Sequence, residues 1–314
     1  MPINIPQNLP AFQTLSEENV FVISDERALR QDIRALEVAI VNLMPTKIET
    51  ETQLLRLLSN TPLQVNITFI RTATHKSKNT SQEHMSTFYT TFEEIKGKYY
   101  DALFITGAPV ELLPFEQVTY WNELCGIMEW SKINAYSTIH ICWGALAGLY
   151  YHYGIEKRPL EKKLSGVYPQ KVNVKNHPLF KGFDDIFNVP HSRYTEVSTE
   201  EIRKCPDLTL LALSELSGAH IIADKSGRQI FITGHPEYDR ESLKNEYLRD
   251  LSKGINPDLP YNYFPGDDPE KEPFNSWGAH ASLMYSNLLN FCVYQETPYL
   301  IEDIKPLVTP ETDI

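Results

Sequence analysis

Thr138-Ile139-His140-Ile141-Cys142-Trp143-Gly144-Ala145 decides how this chain folds. The first four residues read as the end of a strand, Ser137 to Cys142, and Ala145 to Tyr153 reads as a helix. A cysteine at such a tight strand-to-helix turn stands exposed above the sheet edge. The helix N-terminus behind it favours a thiolate and offers backbone N–H donors to an oxyanion. Gly144 and Ala145 are small, as close packing at an elbow requires. A buried thiol at a strand end is the competing reading, and the local sequence leaves both open.

Working outward, short β-branched runs alternate with helix-like stretches. Val38 to Leu43, Gln64 to Ile70 and Ala102 to Thr106 read as strands; Glu49 to Ser59 and Glu116 to Trp130 read as helices. This alternation predicts an α/β fold with a mainly parallel sheet flanked by helices, its chemistry outside the carboxyl ends of the strands. From Lys171 the texture changes. Lys171–Val174, Asp185–Val189, Thr209–Ser214 and Ala219–Ala223 read as short strands joined by tight turns. Gln229–Thr233 is a further strand, Arg240–Ser252 a helix, Gly254–Pro273 a surface loop and Ser276–Tyr294 a closing helix. The reading is one domain over residues 1–314, with an extended N-terminal segment, 1–35, and a C-terminal tail, 305–314.

Composition narrows the function. The 314 residues are 42% hydrophobic and 22% charged, an ordinary globular balance with ample core. The net charge of −12 and the lack of a basic stripe argue against nucleic acid and against an anionic membrane surface. No apolar run reaches the roughly eighteen residues of a membrane span, and Met1 to Phe12 does not resemble a secretory leader. The expectation is therefore a cytoplasmic protein. Cys125, Cys142, Cys205 and Cys292 form no C-x-x-C pair, so neither a disulfide framework nor a metal site is expected. Cys125, Cys205 and Cys292 read as buried thiols.

His235 adds weight to Cys142. It follows the strand Gln229–Thr233 through Gly234, which puts it on the same rim of the sheet. An imidazole titrates near working pH and can relay the thiol and hydroxyl protons. Glu237 lies two residues on; in an extended segment it would point to the same side and fix the imidazole tautomer. His-Pro-Glu alone is common, but combined with the cysteine elbow it is far more specific.

These features, with the gap of about ninety residues between Cys142 and His235, resemble the class I glutamine amidotransferases. That family typically has a Gly two before its cysteine and a Gln two after the following Gly. Here those positions are His140 and Leu146, which argues against glutamine as substrate. The chain more closely resembles the homoserine O-acyltransferases of methionine biosynthesis, which use the amidotransferase-like fold. The resemblance runs from Met1 to about Ile304. It rests on Val41-Asn42-Leu43-Met44-Pro45-Thr46-Lys47, Phe104-Ile105-Thr106-Gly107-Ala108-Pro109-Val110-Glu111, Cys142-Trp143-Gly144, Pro190-His191-Ser192-Arg193 and Gly234-His235-Pro236-Glu237-Tyr238.

The resemblance implies Cys142 as acyl-thioester nucleophile, His235 as general base and Glu237 as its partner. It also implies Lys163, Ser192 and Arg249 as substrate contacts. Homoserine is a zwitterion with one alcohol, so Arg249 would fork onto its carboxylate, and Glu246, three residues earlier on the same helix face, would take its ammonium. Taken alone, Arg249 and Glu246 read as a solvated helix face, Lys163 as a surface turn and Ser192 as a loop serine. Trp143 and Lys47 are candidates for oxyanion or electrostatic support. No metal or tightly bound cofactor is implied, and a homodimer is an expectation of the resemblance only.

Within this family the acyl donor is acetyl-CoA or succinyl-CoA, and the resemblance places the discriminating residue at Glu111, where glutamate goes with acetyl. A carboxylate within about 4 Å of the succinyl carboxylate would cost roughly 1 kcal/mol in water and about 4 at an effective dielectric near 20. The bulk of the side chain opposes the longer acyl group as well. The competing reading has Glu111 pointing to solvent as a helix N-terminal carboxylate. Homoserine and acetyl-CoA are thus the expected substrates. The rivals are an O-succinyltransferase, a glutaminase-type amidotransferase and a non-catalytic regulatory protein.

Overall fold

The computed structural model describes residues 3–18, 22–23, 34–74 and 79–308. Its strands are β1 (Ile3–Asn4), β2 (Val22–Ile23), β3 (Leu36–Val41), β4 (Val65–Arg71), β5 (Tyr89–Thr91), β6 (Tyr100–Ile105), β7 (Ala135–Ile141), β8 (Lys157–Val172), β9 (Ile186–Val197), β10 (Leu208–Ser214), β11 (Gly218–Asp224) and β12 (Gln229–Ile232). The helices are α1 (Pro10–Glu17), α2 (Lys47–Leu58), α3 (Gln82–Phe88), α4 (Phe92–Ile95), α5 (Trp121–Asn134), α6 (Trp143–Tyr153), α7 (Thr199–Lys204), α8 (Ser242–Ser252) and α9 (Gly278–Asn287). All the strands join one sheet in the order β2-β1-β4-β3-β6-β7-β12-β11-β10-β8-β9, with β5 beside β4.

The sheet has two characters. From β2 to β12 every pairing is parallel; beyond β12 every pairing is antiparallel. The parallel half follows from its residues. Each of the six positions of β6 is buried, as a strand covered on both faces requires. Val38, Ile40, Ala102, Phe104, Ile139 and Ile141 share a core with α1, α2 and α9. Their neighbours Ala39, Val41, Leu103 and Ile105 face α5 and α6 on the other side. This period-two division is the register that the apolar runs predict.

Four expectations need correction. The N-terminal segment is not all extended: Pro10–Glu17 is helical, with Pro10 at its start and Ala11 and Leu15, four apart, buried. The helix expected from Glu116 begins only at Trp121, because Pro114 opens a single 3-10 turn over Phe115–Gln117. Thr209–Ser214 and Ala219–Ala223 are seen as β10 and β11, but the short strands expected at Lys171–Val174 and Asp185–Val189 are one end of a long ribbon, β8–β9, whose register breaks between Pro159 and Leu164. Lys157-Arg158 and Glu161-Lys162-Lys163 hide it, since much of β8 is exposed and shows no apolar alternation. The loop 254–273 is not merely superficial. Tyr261 bridges to β8 through Val167 N–H to Tyr261 O at 2.8 Å and Tyr261 N–H to Ser165 O at 2.9 Å, and Tyr263 and Phe264 are buried. The closing helix is seen as α9 and then turns π-helical over Leu288–Tyr294. Of the expected tail, Lys305 and Leu307 are held to the fold, by Arg228 Nη1 donating to Lys305 O at 2.7 Å and Leu307 N–H to Lys132 O at 2.6 Å, while Val308 is exposed; 309–314 lie outside the described residues. No described helix is long and apolar enough to cross a membrane.

Candidate active site

Cys142 connects β7 to α6 with φ 51° and ψ −117°, a left-handed conformation that a non-glycine residue adopts only when its surroundings dictate it. The surroundings do so. Its N–H is hydrogen-bonded to Ile232 O of β12 at 2.7 Å, continuing the Ile232–Ile141 register. Its carbonyl accepts from Ala145 N–H at 2.9 Å. Gly144 is obligatory at this elbow: a Cβ there would stand 2.6 Å from Ile105 O and 2.8 Å from Thr106 O. Gly107 lets the next strand end approach, since its Cβ would lie 3.2 Å from Cys142 Cβ.

β12 lies beside β7, and its outgoing chain delivers His235 to the same rim. His235 N–H bonds Pro190 O at 2.8 Å, fixing the turn. His235 Nδ1 meets Glu237 Oε1 at 2.7 Å, both side chains buried. The pairing is as expected but its route differs. His235 to Tyr238 forms a turn, closed by Tyr238 N–H to His235 O at 3.2 Å, so proximity comes from the reversal and not from extended alternation. With Nδ1 on Glu237, the Nε2 edge is left for Cys142. Burial opposes the imidazolium, but Cys142, then Glu237, outweigh it by charge and hydrogen bonding and hold His235 well above the ordinary value. Glu237 Oε2 is buried without a hydrogen-bond partner.

Above these residues opens a cleft of about 450 Å³, lined by Cys142, His235, Glu111, Lys163, Ser192, Glu246 and Arg249 among others. Here a network joins β8, β9 and α8. Lys163 Nζ donates to Asp250 Oδ2 at 2.9 Å and to Glu246 Oε2 at 3.2 Å. Ser192 Oγ donates to Glu246 Oε2, and Tyr238 O–H to Glu246 Oε1 at 2.9 Å. Lys163 is therefore no surface turn. Burial would lower its pKa, but Glu246 and Asp250 raise it above the ordinary lysine value. Arg249 directs Nε and Nη2 onto Asp250 Oδ1 at 3.1 and 3.0 Å while staying half exposed at the cleft.

Glu111 does not point to solvent. Its Oε2 accepts from Tyr194 N–H at 2.7 Å, Thr195 N–H at 3.2 Å and Thr195 Oγ1–H at 3.3 Å. Burial raises its pKa against these bonds. Two expected contributors sit elsewhere. Lys47 does not line the cleft: its buried Nζ caps Asn42 O at 2.6 Å and Met44 O at 3.2 Å, and burial lowers its pKa to about 8. The Trp143 ring is wholly buried against Phe115 and Tyr120, so its side chain does not line the cleft. His140 and Leu146 are core residues, His140 stacking on Phe231 and bonding Gln229 Oε1 at 2.8 Å.

Two participants were missed. Tyr238 stacks on His235 with ring centroids 4.1 Å apart, and Asp250 anchors both cations. Tyr238 closed the motif Gly234–Tyr238 without being assigned a role, and Asp250 four residues after Glu246 was the available signal for a second acid on that helix. Of the other cysteines, Cys292 is buried, but Cys125 and Cys205 are only partly so. Among the described residues no group of three or more His, Cys, Asp or Glu could hold a metal ion.

Comparison with known proteins bears on the fold and the family. The glutamine amidotransferase of Thermotoga maritima superposes with TM-score 0.54 at 14% identity, covering 82% of this chain and 98% of that one, which establishes the fold alone. Homoserine O-acetyltransferase of Geobacillus sp. strain WCH70 is 58% identical over 299 residues, 95% of this chain and 99% of the relative. That of Thermotoga petrophila is 58% identical over 304 residues, 97% and 100%. That of Streptococcus thermophilus is 56% identical over 305 residues, 97% of each. The profile of the homoserine O-succinyltransferase family (HTS) matches residues 2–299, so the name of the family and the names of these relatives differ in the acyl group. With a match of that length, and relatives above half identity along almost the whole chain, this protein belongs to the homoserine acyltransferase family.

Proposed function

We propose that this protein transfers an acetyl group from acetyl-CoA to the hydroxyl of L-homoserine through a thioester on Cys142. The observation that carries the reading is the buried Cys142–His235–Glu237 set at the floor of a cleft whose far wall holds paired cations and carboxylates.

The proton inventory balances over two half-reactions. Cys142 Sγ, as thiolate beside imidazolium, attacks the thioester carbonyl carbon. The oxyanion faces the start of α6, where the Trp143 N–H follows the nucleophile. The carbon–sulfur bond to coenzyme A breaks, and its sulfur takes the proton from His235. Acylation removes the Cys142 charge, the foremost influence holding His235 protonated, so the imidazole becomes a competent base in the acyl-enzyme. His235 then takes the homoserine hydroxyl proton, the oxygen attacks the acyl carbon, and Cys142 leaves as thiolate. Glu237 holds the tautomer throughout.

For the amino acid, Arg249 receives the carboxylate. Glu246 receives the ammonium, oriented by Lys163, Ser192 and Tyr238. Glu111 borders the acyl group and favours acetyl over succinyl. The single sheet running through all described strands supports one acyltransferase domain.

The test is intact-protein mass spectrometry after incubation with each acyl-CoA, homoserine omitted. An acetyl increment lost in Cys142→Ala, with little succinyl increment, is expected. A succinyl increment of equal or greater yield would overturn the donor, and none from either donor would overturn the covalent route.

A further inference from the structure

The segment Gly107–Leu113 leaves β6 and forms one wall of the cleft. Apolar burial does not hold its outer end, because Leu112 is 68% and Leu113 43% exposed. Polar anchors do. Glu111 ties to β9 through the N–H groups of Tyr194 and Thr195. From β8, Lys157 Nζ donates to Glu111 O at 2.6 Å and to Leu113 O at 2.5 Å. The same ammonium stands 4.2 Å from the Phe115 ring centroid. In the ribbon register Lys157 pairs with Val197 and Pro159 with Thr195, so both anchors lie at one end of β8–β9.

We infer that Lys157 is a positioning residue for the choice of acyl donor. By binding the carbonyls on either side of Leu112 it fixes how far the Glu111 wall stands from Cys142, and so the length of acyl group admitted. An ammonium suits the task because its three donors serve two carbonyls while its charge stands over an aromatic face. Without it, Glu111 keeps its carboxylate on β9 but the chain around it is released. The inference rests on the reading that Glu111 borders the acyl group.

The experiment measures the succinyl-CoA to acetyl-CoA ratio of kcat/KM in wild type, Lys157→Met, Lys157→Gln, Lys157→Arg and Glu111→Gly, with the KM for homoserine in each. Methionine keeps the stem and removes the donors; glutamine is the alternative if methionine does not fold. The ratio should rise about three- to tenfold in Lys157→Met, stay within about twofold of wild type in Lys157→Arg, and leave the homoserine KM within about twofold. A ratio moved by Glu111→Gly but unmoved by Lys157→Met or Lys157→Gln overturns the role of Lys157 and leaves that of Glu111. A ratio moved by neither site overturns both. A ratio moved by Lys157→Met alone supports the anchor and removes Glu111 as selector. A rise in homoserine KM equal to the change in donor ratio marks Lys157 as a general structural residue and overturns the inference.

Discussion

Cys142, His235 and Glu237 meet across two adjacent strand ends, whereas Lys163, Ser192, Glu246 and Asp250 converge from β8, β9 and α8. The reacting group is local: His235 and Glu237 are two residues apart, and one inter-strand hydrogen bond sets Cys142 beside them. The recognition network is not, with 87 residues between Lys163 and Asp250 and 54 between Ser192 and Glu246. Their electrostatics differ too. In the network each carboxylate already has a donor, so charge is neutralised at rest and positions groups. In the reacting group the balance depends on Cys142, and in the proposed mechanism its charge disappears on acylation, which would let His235 alternate between acid and base. A region built to change charge should respond to mutation in kcat; a region built to stay paired should respond in KM.

Cys142→Ala is the largest test of that division. Acyl transfer should fall by more than about 10⁴-fold with homoserine binding and circular dichroism unchanged. Activity within about tenfold of wild type removes the nucleophile.

Glu237→Gln keeps the shape of the contact and loses its charge. The expected loss in kcat is on the order of a hundredfold or more, and a loss below about fivefold makes Glu237 structural. The pH dependence sharpens this. Because Glu237 is one of the groups raising His235, the variant should lose the His235 proton at lower pH than wild type. The His235 ring proton, followed by NMR, should be lost at lower pH in Glu237→Gln than in wild type, and an unchanged titration would separate Glu237 from the imidazolium.

Lys163→Met leaves Glu246 and Asp250 without their shared cation. The homoserine KM should rise about ten- to a hundredfold, with kcat changed less than about threefold. A kcat effect of the same size would merge the two regions into one.

Arg249→Lys is the smallest. An ammonium cannot reproduce the fork, so the homoserine KM should rise about three- to tenfold while that for acetyl-CoA is unaffected. Equal shifts in both would assign Arg249 to holding α8 in place through Asp250.

What was readable follows the same line. Val38–Leu43, Gln64–Ile70 and Ala102–Thr106 lie within a residue or two of β3, β4 and β6, because a strand buried on both faces announces itself as an apolar run. The ribbon β8–β9 did not, because a strand with exposed faces carries lysines and glutamates that read as a turn. Lys47 and Trp143 stood in the right motifs, but their side chains turn away from the cleft, toward main-chain carbonyls and an aromatic core.

The sequence by itself determined the parallel half of the sheet, the cysteine elbow and the His235–Glu237 pair. Each depends on apolar period or on residues a few positions apart, and such information is written locally. The tertiary structure alone decided that Glu111 ties to Tyr194 and Thr195, that Lys163 lies between Glu246 and Asp250, and that Lys157 holds the Glu111 carbonyl. Those are polar contacts across 46 to 87 residues of chain, fixed by where the ribbon folds back over the parallel rim, and no periodicity in the sequence encodes them.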